Sequence, residues 1–141
     1  MERLALALAL VVVAVAVAAL LERRRPDAPT QSSWSVPAQL DRDDFVRPDA
    51  PWLVVVFSSA TCDSCRDSVA KAAALESADV AVEDVEVGAS PDRHRRYAID
   101  AVPVVVVADA SGVVRSSFVG PPTAAELWAA LAAVRDEPPP D

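Results

Sequence analysis

The stretch that most restricts how this chain folds is Ser58-Ser59-Ala60-Thr61-Cys62-Asp63-Ser64-Cys65. It lies between an unbroken apolar run and a helix-forming segment. The run, Trp52 to Phe57, is rich in valine and aromatic residues and reads as a strand buried on both faces. Arg66 to Leu75, on the other side, is rich in good helix formers. A strand that passes into a helix at a Cys-x-x-Cys sets the first cysteine among unpaired backbone N–H groups at the positive end of the helix dipole. A thiolate is favoured there. The second cysteine, three positions on, is within reach of any mixed disulfide the first one forms.

Cys62 and Cys65 are the only two cysteines in the chain. A structural zinc site takes about four ligands, and one histidine and the carboxylates are all that remain to complete it. A purely structural disulfide is the other competing reading. A loop this short contributes only about 2 kcal/mol in the chain-entropy model, less than a long one. The pair is therefore better suited to a reversible two-electron switch than to a staple. No cofactor and no metal are called for.

The 141 residues suffice for one domain and an appendage, and the net charge of −8 disfavours nucleic acid as a partner. Basic residues cluster only at Arg23-Arg24-Arg25 and at Arg93-His94-Arg95-Arg96. The second cluster reads as the solvated face of a short helix, with a docking surface for an acidic partner as the alternative.

Leu4 to Leu21 carries no polar side chain. As a helix it measures about 27 Å, which matches the hydrocarbon thickness of a bilayer. A single membrane-spanning helix is expected, with the lipid bilayer as its partner. A cleaved signal peptide is the competing reading, since Ala16-Val17-Ala18 resembles a cleavage site. The apolar region is longer than such peptides use, however, and little positive charge precedes it. Arg23 to Arg25 follow the helix, so positive charge places the soluble part on the cytoplasmic side by a margin of one or two charges. The extracytoplasmic side is the alternative. The expected organisation is an anchor over 1–22, a Pro/Ser-rich linker over 23–35, a domain over 36–136 and a disordered Pro-rich tail over 137–141. Trp34 reads either as the first residue docked on the domain or as an interfacial anchor.

Within the domain, Leu40 to Val46 predicts a short helix or turn with Leu40 and Phe45 over the sheet. Val80 to Val87 is a strand whose apolar alternation slips by one between Glu83 and Asp84, as a bulge or burial on both faces produces. Ser90-Pro91-Asp92 starts a short helix to Tyr97 or Ala98. Val104 to Ala108 is a second continuous apolar strand, and Asp109 to Gly112 turns the chain into an antiparallel strand over Val113 to Val119. Thr123-Ala124-Ala125-Glu126 is a capping box, opening a helix with Leu127, Leu131 and Val134 on its inner face and Trp128 flanking it.

The order of strand, helix, strand, helix, proline, strand, strand, helix, with Cys-x-x-Cys at the start of the first helix, resembles the thioredoxin-like family over about Val36 to Arg135. Val54 to Phe57 leading to Cys62-Asp63-Ser64-Cys65 is similar to its central strand and active site. Tyr97 to Pro103 is similar to the approach to its cis-proline loop, Ser111-Gly112 to its hairpin turn, and Val119-Gly120 to the end of its last strand. The resemblance implies an α/β fold, a central mixed sheet flanked by helices, and thiol–disulfide exchange on protein thiols and disulfides. In that chemistry Cys62 attacks and Cys65 resolves. A reductase or other dithiol supplies electrons. The resemblance also implies a cis Val102-Pro103 peptide. Val102, Pro103, Thr61, Asp63 and Ser64 would then contact the substrate chain, the Val102 backbone by strand addition.

The chain also departs from the family. Thr61 stands where a tryptophan is usual, and Asp63-Ser64 replaces Gly-Pro. Val56 replaces the buried carboxylate that assists the second cysteine. No replacement base is evident in the sequence; Asp63 and Asp100 are the candidates, acting through water. Asp63 also opposes a thiolate at Cys62. These departures predict a slower reductant than ordinary thioredoxins. They also motivate an alternative, a redox-inert docking module for a membrane partner. A further alternative, a peroxide-handling enzyme using Cys62, would draw on Ser58, Ser59 and Thr61 as its polar pocket.

Overall fold

The computed structural model describes residues 35–136. The Leu4–Leu21 span, Arg23 to Arg25, Trp34, nearly all of the linker and the tail lie outside the described residues. Among the described residues no helix is long and apolar enough to cross a membrane.

Four strands form one mixed sheet in the order β2-β1-β3-β4: β1 Trp52–Ser58, β2 Val80–Glu86, β3 Val104–Ala108 and β4 Val114–Val119. β1 runs parallel to β2 and antiparallel to β3, and β3 pairs antiparallel with β4. The parallel pair requires a crossover, supplied by α1, Asp63–Ala73. Helix α2, Pro91–Arg96, follows β2, and α3, Ala124–Asp136, closes the domain. A turn of 3₁₀ helix at Arg42–Asp44 precedes the sheet.

Leu53 to Phe57 and Val104 to Ala108 are fully or almost fully buried, because helices or loops cover both sheet faces. Val54 and Val56 pack with Ala72, Leu75, Leu127, Leu131 and Val134 of the α1/α3 layer. Val55 and Phe57 point the other way, into a cluster with Leu40, Phe45 and Tyr97. Leu40 and Phe45 thus cover the sheet as their spacing predicts. The capping box forms as well: the Glu126 N–H donates to Thr123 Oγ1, and the Thr123 N–H donates to Glu126 Oε2.

The structure chooses between the two readings of Val80 to Val87 and corrects the reading of Arg93 to Arg96 as a solvated face. Pairing of β1 with β2 is regular from Trp52/Val80 to Ser58/Glu86, so no bulge lies at Glu83–Asp84; the irregularity falls instead between Val107 and Ala108, opposite β4. The slip in β2 reflects burial on both faces: Val80 and Val82 join the α1/α3 layer, Ala81 and Val85 the opposite one. The Arg93–Arg96 cluster is not a simple solvated face. Arg93 bridges to Glu83 at 2.6 Å, Arg96 pairs with Asp41 and Asp44, and His94 is buried with Nε2 2.7 Å from the Val85 carbonyl. These bonds tie α2 to β2 and to the 3₁₀ turn. Tyr97 joins them by donating to Asp44 Oδ2; burial first, and that bond second, push its hydroxyl up to about 12.

Helix α2 ends in a turn where Ala98 takes φ 52°, and the Ile99 N–H reaches back to the His94 carbonyl. That left-handed conformation penalises any residue with a Cβ. Ala98→Gly should raise stability by about 0.5–1 kcal/mol in denaturant unfolding; a loss of stability would contradict this reading of the turn.

Candidate active site

The site is built where β1 ends and α1 begins. β1 is held rigidly between β2 and β3, and the four residues Ser59 to Thr61 and Cys62 carry the chain to the helix. Cys62 is the N-cap of α1: its Sγ accepts from the Cys65 N–H at 3.2 Å. The two cysteines form a disulfide with Cα atoms 5.2 Å apart. Their surroundings differ sharply. Cys62 is half-buried at the helix tip, whereas Cys65, inside the first turn, is only 1% exposed.

Thr61, Asp63 and Ser64 surround the disulfide and are exposed, as substrate contacts need to be. The Ser64 hydroxyl lies 3.4 Å from Cys62 Sγ. Asp63 was expected to oppose a thiolate at Cys62, but its carboxylate is bonded to Arg66 at 2.7 Å, so a positive charge stands beside it. Val102-Pro103 is a cis peptide. Pro103 immediately precedes Val104, which pairs with Phe57 at the end of β1, so the topology brings the proline to the same end of the sheet as the cysteines. Among the described residues no hydrogen bond uses the Val102 N–H or C=O, while the Pro103 carbonyl is taken by Gly120.

Beside the disulfide lies a cavity of about 260 Å³ lined by Ser58, Cys62, Cys65, Arg66, Asp84 and Glu86 among others. Asp84 and Glu86 are the site residues that the sequence reading missed. Both follow Val80 and Val82 on the α1 face of β2, by the two-residue period of a strand. The change from apolar to acidic along that face was visible as the slip at Glu83–Asp84. Asp84 Oδ1 accepts from the Ser58 hydroxyl at 2.5 Å. Asp100, one of the expected substitutes for the missing carboxylate, is exposed and does not line this cavity. Val56 is fully buried in apolar surroundings.

No protein-family model matches the chain, and no curated protein matches it. Solved structures do. A thioredoxin mutant from Halobacterium salinarum is 24% identical, with a TM-score of 0.57, over 74% of this chain and 91% of that one. Mitochondrial thioredoxin 3 from Saccharomyces cerevisiae, in its oxidised form, is 22% identical with a TM-score of 0.52, over 61% of this chain and 81% of its own. Fasciola hepatica thioredoxin is 24% identical with a TM-score of 0.53, over 61% and 83%. The fold is thioredoxin-like. At these identities the likeness establishes architecture, and the chemistry must be argued from the residues themselves.

Glu86 fixes the loop that delivers Cys62. Hydrogen bonds from the backbone N–H groups of Gly88, Ala60 and Ala89 hold its carboxyl below the usual glutamate range. Those to Ala60 and Ala89 measure 3.1 and 2.8 Å. A depressed folded value means that this support is complete above the ordinary glutamate range and is lost as pH falls through the lowered value. In Glu86→Ala the Ala60 amide should exchange severalfold faster at neutral pH by NMR, and in the natural protein its protection should fall only on acidification. An Ala60 amide indifferent to both changes would show that Glu86 does not hold the loop.

Proposed function

We propose that this protein is a membrane-tethered thiol–disulfide oxidoreductase acting on protein dithiols and disulfides through Cys62-Asp63-Ser64-Cys65. The observation that carries the reading is the disulfide between a half-buried N-cap sulfur and an enclosed one inside the same helical turn. A thioredoxin-like fold supports it.

In the reducing direction, the Cys62 thiolate attacks one sulfur of a client disulfide. A Cys62–client bond forms, the client S–S bond breaks, and the second client sulfur leaves as a thiolate and takes up a proton. Cys65 then loses its proton and attacks Cys62 Sγ. The Cys62–Cys65 disulfide closes and the client is released as a dithiol. The structure corresponds to this oxidised end state, and a reductase or other dithiol donor returns it to the reduced one. The N–H groups and dipole of α1 stabilise the Cys62 thiolate, both when it attacks and when it leaves during reduction of the enzyme. The unused Val102 backbone groups receive an extended client segment beside Pro103, with Thr61, Asp63 and Ser64 framing the scissile bond.

The membrane tether rests on the composition of Leu4 to Leu21, with the domain on the cytoplasmic side by the charge bias of Arg23 to Arg25.

Cys65→Ser removes the resolving sulfur and should leave client proteins covalently joined to Cys62 when the full chain is exposed to disulfide-bearing protein. Cys62→Ser should form no such adducts and should lose insulin-disulfide reduction with dithiothreitol. If Cys65→Ser accumulates no Cys62-dependent adduct and the natural protein reduces insulin no faster than background, the domain is a docking module.

A further inference from the structure

Resolution by Cys65 poses a proton problem. Cys65 is 1% exposed, so its thiol has little bulk water to which it can lose a proton. Burial in apolar surroundings also disfavours the thiolate it must become. Val56 supplies no base. The groups able to accept that proton must line the cavity into which the disulfide opens.

The ionisable side chains there, apart from the cysteines, are Asp84 and Glu86 on β2 and Arg66 on α1; β1 contributes only the Ser58 hydroxyl. Glu86 is committed to backbone N–H groups through both carboxylate oxygens. Arg66 is paired with Asp63 and accepts nothing. Asp84 differs from both. Its Oδ1 takes the Ser58 hydroxyl proton at 2.5 Å, and its Oδ2 takes no hydrogen bond among the described residues. In register Asp84 sits opposite Val56, so the carboxylate is placed one strand over from the buried valine.

We propose that Asp84, acting through the Ser58 hydroxyl, accepts the Cys65 proton when the mixed disulfide on Cys62 is resolved. As Cys65 Sγ turns toward Cys62, its proton passes to Ser58 Oγ while the Ser58 proton moves to Asp84 Oδ1. The Cys65–Cys62 bond then forms, the Cys62–client bond breaks, and the client sulfur carries away the electron pair. Asp84 returns its proton to water at the cavity mouth. The negative charge of Asp84 suits this step, since a carboxylate near a thiol draws off its proton without stabilising the resting thiolate. Asp84 is a positioning residue here: it acts on the reacting sulfur through Ser58.

This inference rests on the oxidoreductase reading, and one experiment separates the two. Reduced protein mixed with dithiobis(nitrobenzoate) releases one nitrothiobenzoate when Cys62 is modified and a second when Cys65 resolves the adduct. The second leaving group departs without needing a proton, so stopped-flow absorbance reports deprotonation of Cys65. Asp84→Asn should leave the first phase unchanged and slow the second by at least about tenfold at neutral pH. The second phase should then climb with pH toward the natural rate, because hydroxide takes over the proton. Ser58→Ala should shift the profile in the same direction, and Asp84→Glu should restore part of the rate. A second phase in Asp84→Asn with the natural rate and pH profile would overturn the proposal. So would equal slowing of both phases. Absence of a Cys62 adduct in Cys65→Ser would defeat the oxidoreductase reading itself.

Discussion

A sulfur caps the first helix. Cys62 Sγ takes the Cys65 N–H that the oxygen of a Ser, Thr, Asp or Asn N-cap commonly takes, and this contact fixes where both cysteines stand. It depends on β1 delivering the chain to that point without play. The strand is packed from both faces and paired on both edges, so its end is among the most constrained places in the domain. From there a short loop, held by Glu86, reaches the helix. Rigidity behind the cysteines and the exposure of the helix tip around Cys62 have one origin, namely the crossing of a buried strand into a helix whose tip faces solvent while Cys65 turns inward.

The same sheet explains why the two sulfurs differ. Helical geometry places Cys65 three residues into α1, on the side that packs toward β1 and β2, where Ser68 and Ala72 are also buried. Cys62 stays at the tip. The inward face of β2 is apolar at Val80 and Val82 and acidic at Asp84 and Glu86, so the apolar layer stops where the cavity beside the disulfide begins. Polar groups line this end of the sheet next to an otherwise apolar core.

Much of this was legible in the residues. The two continuous apolar runs announced central strands, because only burial on both faces tolerates five or six such residues in a row. The capping box at Thr123 and Glu126 and the cysteine spacing each carried a local mechanism and formed as expected. What escaped was long-range. That Asp84 stands opposite Val56 is a matter of strand register between segments far apart in the chain. Nothing local to either residue encodes it. The Arg93–Arg96 cluster misled for a related reason, since its acidic partners Asp41, Asp44 and Glu83 come from other elements. Burial of His94 was likewise invisible, as a histidine between arginines looks solvated until Val85 and Phe57 are packed beside it.

The central claim is the inequality of the two sulfurs, and selective alkylation tests it most directly. Reduced, folded protein treated briefly with iodoacetamide at neutral pH should carry a single modification, on Cys62, when its peptides are weighed by mass spectrometry. Cys65 should react only after unfolding. Equal modification of both cysteines, or modification of Cys65 first, would contradict the account.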